Sequence, residues 1–298
     1  MEYRKLGKTG LEVSVLGFGG VEIGFFKEET STVDLLLNSA IDSGLNLIDT
    51  AASYWTSEEL IGSAIEGRRQ SVILLSKCGP VDGFTREDWS KQGILDTITN
   101  SLRRLKTDYL DVIQLHSCER KILERGEAVE ALIRAKERGY AQFMGYSGDG
   151  EDAKFALELD VFETLQTSIS IADQEAFDLT LPLASEKGVG VIAKRPIANV
   201  AFRHESVPEN AYHIEYWERI QKLDYPFLKG SFEQSVATAL RFTLSFESIA
   251  TAIVGTKKPG RWQENAGYVA QGALPANMVS EIRERWRDIA EKDWVGQV

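Results

Sequence analysis

The order of elements in this chain predicts an α/β fold, a (β/α)8 TIM barrel with an N-terminal β-hairpin and a C-terminal extra helix. Three observations carry that reading. Short apolar strands alternate with longer amphipathic stretches along nearly all of the 298 residues. Eight such strands are present, enough to close a barrel where fewer would leave an open sheet. The first strand leaves through Gly17-Phe18-Gly19-Gly20, whose spacing is wrong for the GxGxxG of a doubly wound dinucleotide-binding sheet.

The elements follow in order. Segments 3–6 and 11–14 flank Lys8-Thr9-Gly10 and read as a hairpin cap over 1–14, with Gly10 easing the turn. The first barrel strand starts near Leu16. The others are expected at 45–50, 72–76, 110–116, 142–147, 162–169, 190–194 and 252–255. Helices are expected between them at 30–43, 57–66, 90–105, 127–138, 151–157, 175–187, 232–242 and 262–269. In the first of these, Leu35, Leu36, Ala40 and Ile41 make an apolar stripe, and Gly44 ends it. Ser57 suits the N-cap of the second. A last helix is expected over 275–293. Strands and helices of these lengths imply parallel strands joined by right-handed crossovers. The reading is one domain, 1–298. Only 198–230 breaks the rhythm, as a long polar and aromatic rim insertion with a helix near 213–223. A connection of that length is either a functional lid or a decoration packed on the barrel face.

Composition narrows the function classes. Hydrophobic residues at 43% and charged residues at 27% are those of a globular chain. A net charge of -11, with no run of Lys or Arg, argues against nucleic acid or an anionic membrane surface as partner. The two cysteines, Cys78 and Cys118, do not make a disulfide framework. The first residues do not read as a signal peptide, and no apolar run is long enough to span a bilayer. A cytoplasmic location and a small-molecule partner are the resulting expectations, with no metal site.

In a barrel the chemistry gathers at the carboxyl ends of the strands. Three consecutive strands end in titratable groups: Asp49, Lys77 and His116, with Tyr54 just beyond the first. A free tyrosine, with a pKa of about 10, is a weak acid at neutral pH. A nearby lysine is expected to favour its phenolate. Asp49 would supply the lysine's counter-charge. His116 would orient a carbonyl oxygen. Such a group suits carbonyl reduction, in which the nascent alkoxide collects a proton. Singly, each has a plainer reading: a loop acid, a snorkelling lysine, a core histidine, a surface aromatic.

The sequence resembles the aldo-keto reductase superfamily from Arg4-Lys5-Leu6-Gly7 to Glu264-Asn265. The family's Asp-Thr-Ala-x-x-Tyr motif stands at Asp49 to Tyr54, its lysine at Lys77 and its histidine at His116. The resemblance implies a catalytic tetrad in which Tyr54 is the general acid, Lys77 paired with Asp49 tunes it, and His116 positions the carbonyl. It also implies an NADPH cofactor lying extended across the barrel mouth, with NADH as a second possibility.

The cofactor residues implied by the resemblance are Ser147 and Gln166 at the carboxamide. Lys194, Arg195 and Pro196 fall beside the pyrophosphate, although one of the two cations would pair with a rim carboxylate on the plainer reading. Gly255, Thr256, Lys257, Arg261, Glu264 and Asn265 fall at the adenosine end, where basic residues favour NADPH over NADH. Two positions depart from the family. Gly148 stands where an asparagine usually holds the carboxamide, and no stacking aromatic follows Gln166 in Thr167-Ser168-Ile169-Ser170. Substrate walls are expected from Glu22, Phe25, Phe26, Trp55 and residues of 200–217, which suits moderately apolar carbonyls. Alternatives on the same fold are an NAD(P)-dependent sugar or alcohol dehydrogenase and a nicotinamide-binding regulatory subunit.

Overall fold

The computed structural model describes residues 1–297. Eight parallel strands close into a barrel: β1 (Leu16–Gly19), β2 (Leu47–Asp49), β3 (Ile73–Cys78), β4 (Leu110–His116), β5 (Ala141–Ser147), β6 (Thr164–Ser168), β7 (Gly190–Lys194) and β8 (Ile249–Val254). The ring closes where β8 pairs with β1, Ala252 opposite Leu16 and Val254 opposite Phe18. Among the described residues, nine helices of eight or more residues clothe this ring and supply the rim. The N-terminal hairpin pairs Tyr3–Lys5 with Glu12–Ser14, antiparallel, around a short turn ending at Gly10 with φ 74°.

Side-chain alternation along the strands sorts the interior into layers. Leu47, Leu75, Val112, Ile192 and Ile253 fill the lower barrel, and the hairpin closes it from below with Leu6 and Val13. Two residues further along, the same faces carry Asp49, Lys77, Gln114 and Lys194. The barrel is therefore apolar at its base and polar at its mouth. Intervening residues such as Ile48, Leu74 and Ile113 point outward into the main core against the helices.

Several boundaries differ from the sequence reading, for local reasons. The helix expected over 175–187 is two pieces, Ala176–Leu179 and Leu181–Glu186. Pro182 sits in the first turn of the second piece, where its missing N–H is harmless; in one continuous helix it would break a bond. Ser57 does not cap its helix. Its hydroxyl instead accepts from Thr50 Oγ1 and donates to the Gly20 carbonyl, each at 2.8 Å, tying the β2 exit to the β1 exit. The C-terminal helix is Ala276–Ile289, shorter than expected. A small unexpected hairpin, Pro80–Val81 with Arg86–Glu87, rises beside the mouth.

The 198–230 insertion holds a 3-10 turn at Ala198–Arg203, a helix at Ala211–Leu223 and a second 3-10 turn at Pro226–Lys229. It has its own core, in which Tyr216, Ile220 and Leu223 pack with Ile282 and Trp286 of the C-terminal helix and with Trp294. No helix among the described residues is long and apolar enough to cross a membrane.

Candidate active site

The strand register brings the polar layer together. Lys77 lies opposite Gln114, His116 opposite Ser147, Ser147 opposite Gln166, and Ser168 opposite Lys194. Gly145 makes room for this layer, since a Cβ there would sit 2.9 Å from the Gln114 side chain. Lys77, fully buried, donates to Asp49 Oδ2 at 2.5 Å and to the Thr50 carbonyl at 2.9 Å. The other Asp49 oxygen accepts from Gln166 Nε2 at 2.9 Å and Gln114 Nε2 at 3.3 Å. Ser147 Oγ donates to Gln166 Oε1 at 3.0 Å. A buried carboxylate with this many donors is fully satisfied, the condition for keeping an ion pair out of water.

Tyr54 sits over this layer. Its ring centroid is 5.0 Å from Lys77 Nζ and 5.6 Å from the His116 ring, which meets it edge-on at 79°. Ser53 Oγ lies 3.3 Å from His116 Nδ1. Backbone bonds set the loop: Ala52 N–H to the Lys77 carbonyl, and Tyr54 N–H to the Ala51 carbonyl. Gly24, in the short helix Val21–Phe25, packs flat on the Tyr54 carbonyl, with no room for a Cβ. Gly24→Ala is therefore expected to shift Tyr54 or destabilise the fold by roughly 1–3 kcal/mol, as overpacking does. Thermal unfolding and kcat together would show it; an unchanged pair would mean that the short helix does not position the tyrosine.

The electrostatics differ from the sequence expectation in one respect. Burial, followed by Asp49 and then Tyr212, holds the Tyr54 phenol well above its ordinary pKa, while Arg195 works the other way. The lowering anticipated from Lys77 does not prevail: burial dominates the phenol, and the Lys77 ammonium is bonded to Asp49 and the Thr50 carbonyl. Burial also lowers the Lys77 pKa, with Asp49 opposing it. Burial, then Lys77, Lys194 and Arg195, push the His116 pKa well down, so its imidazole is neutral. The mouth thus presents a protonated phenol and a neutral imidazole at neutral pH.

The remaining predicted residues divide into groups. Lys194 pairs with Asp149 Oδ2 at 2.7 Å, the plainer of its two readings. Asp149 Oδ1 also accepts from Thr167 Oγ1 at 2.8 Å and the Ser168 amide at 2.6 Å. Burial opposes the Asp149 carboxylate, yet Lys194 and the Ser168 amide prevail and hold its pKa below the usual range. Gly148 has a packing reason: a Cβ there would lie 2.6 Å from the Tyr146 ring, which is anchored by its hydroxyl to the Cys118 carbonyl at 2.7 Å. Arg195 donates to Tyr212 Oη, Ser168 Oγ and the Gln297 carbonyl. The Pro196 carbonyl accepts from Thr243 Oγ1 at 3.3 Å.

Past β8, Gly255 approaches Gly19 and Glu22, and Thr256 Oγ1 accepts the Lys258 amide at 3.1 Å. Lys257 stands 3.5 Å from Glu28 and 3.9 Å over the Phe26 ring. The helix Arg261–Val269 starts at Gly260 without a side-chain cap; Arg261 pairs with Glu264 at 2.7 Å, and Asn265 is buried beneath. Glu22 is half-buried, and burial raises its carboxyl pKa against Lys257 and Arg203. Phe25 tilts toward Tyr54 at 6.3 Å, and Trp55 is exposed on the rim. Phe84, at the tip of the small hairpin, was not anticipated as a wall residue: its ring is 5.1 Å from His116 and 6.3 Å from Tyr54. Its signal was the Asp82-Gly83 turn flanked by short extended segments.

A closed parallel barrel whose mouth joins a buried lysine–aspartate pair to a tyrosine and a histidine defines an oxidoreductase class. The model of the aldo/keto reductase family matches residues 15–287. The chain belongs to that family and is an enzyme acting on the CH–OH/carbonyl couple with a nicotinamide cofactor. It is 30% identical over 282 residues to the uncharacterized oxidoreductase YqkF of Bacillus subtilis, covering 89% of this chain and 90% of that protein. It is 28% identical over 295 residues to the L-galactose dehydrogenase of Arabidopsis thaliana, covering 91% and 89%. Among solved structures it resembles the holo form of the aldo-keto reductase AKR11C1 from Bacillus halodurans, with a TM-score of 0.84, 26% identity, and coverage of 98% of this chain and 99% of that one.

Proposed function

We propose that this protein reduces an aldehyde or ketone to the alcohol with NADPH, and that Tyr54 is the general acid. The observation that carries the reading is the pairing of a protonated Tyr54 with a neutral His116 above a lysine held by Asp49. When bound, the nicotinamide supplies the hydride. The chain's own groups do the rest. His116 and Tyr54 hold the substrate oxygen by hydrogen bonds. As that oxygen gains negative charge its proton affinity climbs past that of the phenol, and the Tyr54 proton transfers. The positive charge on Lys77 stabilises the phenolate left behind. With the Ser53 hydroxyl donating to Nδ1, the His116 tautomer with its proton on Nε2 would point that proton at the substrate oxygen.

The residues present fit a dinucleotide. Asn199 Nδ2, in the turn after Pro196, is a buried donor without a partner among the described residues. The uncapped start of the helix Arg261–Val269, with Lys257, Lys258 and Arg261 around it, suits a phosphate. We assign Ser147 and Gln166 to the carboxamide, Pro196 and Asn199 to the pyrophosphate side, Gly255, Thr256, Lys257 and Arg261 to the 2'-phosphate end, and Glu264 and Asn265 to the adenine. Arg261→Gln is expected to weaken NADPH by about tenfold or more, the scale of a lost charge-assisted pair, and NADH far less. Fluorescence titration of both cofactors would decide it; equal losses would move Arg261 off the 2'-phosphate.

Neither group placed at the substrate oxygen, Tyr54 or His116, changes its charge near neutrality. Tyr54 stays protonated because its pKa is raised, and His116 stays neutral because its pKa is lowered. The kcat for reduction is therefore expected to be level from about pH 6.5 to about pH 8.5. A sigmoid step centred near neutrality, lost in His116→Gln, would show a protonated imidazole at work instead. The likeness to L-galactose dehydrogenase favours a second reading, oxidation of a sugar hydroxyl by the reverse steps. NADPH consumption with aldehydes, ketones and aldoses, set against NADP reduction with the matching alcohols and sugars, tests both.

A further inference from the structure

The inward positions of β4 change character along the strand. Val112 belongs to the apolar base and His116 to the site, and Gln114 stands between them, fully buried. It lies opposite Lys77 on β3 and opposite Gly145 on β5. An apolar side chain of the same size would fill that place with no polar group to satisfy. The glutamine leaves one unsatisfied. Its Oε1 is a buried acceptor without a partner among the described residues, as is Thr164 Oγ1 on the far side of Gly145. A buried acceptor left unbonded destabilises a fold. Gly145 compounds the loss, since it gives up its own side chain to make room: a Cβ there would sit 2.2 Å from Thr164 Oγ1 and 2.9 Å from Gln114 Cγ. Packing alone therefore does not explain an amide at this position.

The other end of the amide supplies a reason. Nε2 donates to Asp49 Oδ1 at 3.3 Å, beside the Gln166 amide at 2.9 Å. The second carboxylate oxygen, Oδ2, receives Lys77 Nζ at 2.5 Å. One oxygen thus serves the amides and the other serves the ammonium. Asp49 and Lys77 are 2% and 1% exposed, so bulk water screens neither. Donors on a carboxylate keep it ionised, so it does not take the lysine proton. They also draw its charge toward themselves and away from the partner cation. A Lys77 less fully neutralised keeps more of its field for the Tyr54 ring, whose centroid is 5.0 Å away. Among the described residues Gln114 makes no hydrogen bond to Tyr54 or His116, so its effect on the proton passes through the carboxylate.

We propose that Gln114 is a positioning residue for the proton transfer: by holding Asp49 Oδ1 it keeps the Lys77 charge available to the phenolate that Tyr54 becomes. This rests on the reductase reading above. The amide is then placed for the reaction at the expense of the barrel's packing, and removing it should harm the chemistry without harming the fold.

Gln114→Met and Gln114→Leu test it, both close in volume to glutamine and free of polar atoms. For each, stopped flow gives the single-turnover rate on the aldehyde or ketone that the wild type reduces fastest. KM, NADPH affinity by fluorescence titration and thermal unfolding are measured beside it. The rate should fall about tenfold, the scale of a lost bond to a charged group, with KM and the NADPH dissociation constant within about twofold. Thermal unfolding should be no lower than in the wild type, because the unbonded acceptor leaves together with the donor. The same substitution made on Asp49→Asn should lower the rate by no more than about twofold further, since the carboxylate it acts through is already gone. Rates above half the wild-type value in both variants would overturn the proposal. So would a loss that came in both with a fall of about 4 °C or more in unfolding temperature, which would make Gln114 a support of the fold. An undiminished tenfold loss on Asp49→Asn would also overturn it, by putting Gln114 on a path of its own. Turnover by the wild type reports separately on the reductase reading: its presence with unaffected variants overturns only the role of Gln114, and its absence with every carbonyl compound overturns both.

Discussion

Tyr54→Phe is expected to lower kcat for carbonyl reduction by about a thousandfold while leaving NADPH affinity within about twofold, the range set by loss of one general acid. The substitution is nearly isosteric. The ring keeps its edge contact with His116 at 5.6 Å and its tilted contacts with Phe25 and Phe84 at 6.3 Å each. Lys77 keeps both of its acceptors, Asp49 and the Thr50 carbonyl. What disappears is the phenolic proton. Stopped-flow single turnover, with cofactor binding measured in parallel, separates the two effects. If the variant kept a tenth or more of the wild-type rate, His116 or solvent would be the proton source, and the role assigned to Tyr54 would be wrong.

Much of this site could be read from the chain because strand periodicity is a local property. Asp49, Lys77 and His116 each stand at or next to the end of an apolar strand, and a barrel gathers strand ends at one mouth. Leu47, Leu75 and Val112, two or four residues earlier, fill the barrel base, and that is why the later positions face inward. Tyr54 was legible through its motif, whereas its raised pKa was not, because burial depends on everything packed above it. The fate of Lys194 turned on Asp149, a residue from a different strand end. Phe84 reaches His116 only because a two-stranded turn folds back over the mouth. The tail from Trp294 to Gln297 shows the same limit. No spacing relates Gly296 to Asp149 or Gln297 to Arg195; only the tertiary fold brings them together.

The buried Lys77–Asp49 pair should separate stability from chemistry. Asp49→Asn keeps the shape but leaves a buried ammonium with only the Thr50 carbonyl and turns one carboxylate oxygen into a donor amid the donors of Lys77, Gln166 and Gln114. Breaking one partner of such a pair costs about 3–5 kcal/mol, so thermal unfolding should move down by roughly 10 °C. The pH dependence has a definite sign. Burial already lowers the folded-state pKa of Lys77, with Asp49 the main group raising it again. Removing Asp49 lowers it further. Between that folded pKa and the ordinary lysine value the unfolded chain binds more protons, so stability rises with pH. The deficit of Asp49→Asn should therefore be greatest at neutral pH and shrink as pH climbs toward about 10. The double variant Asp49→Leu with Lys77→Met removes both charges and should recover most of the stability. It should recover none of the activity, since the phenolate of Tyr54 would have no cation beside it. A double variant as unstable as Asp49→Asn would mean that the Gln166 and Gln114 bonds to Asp49, rather than its charge, hold the mouth together.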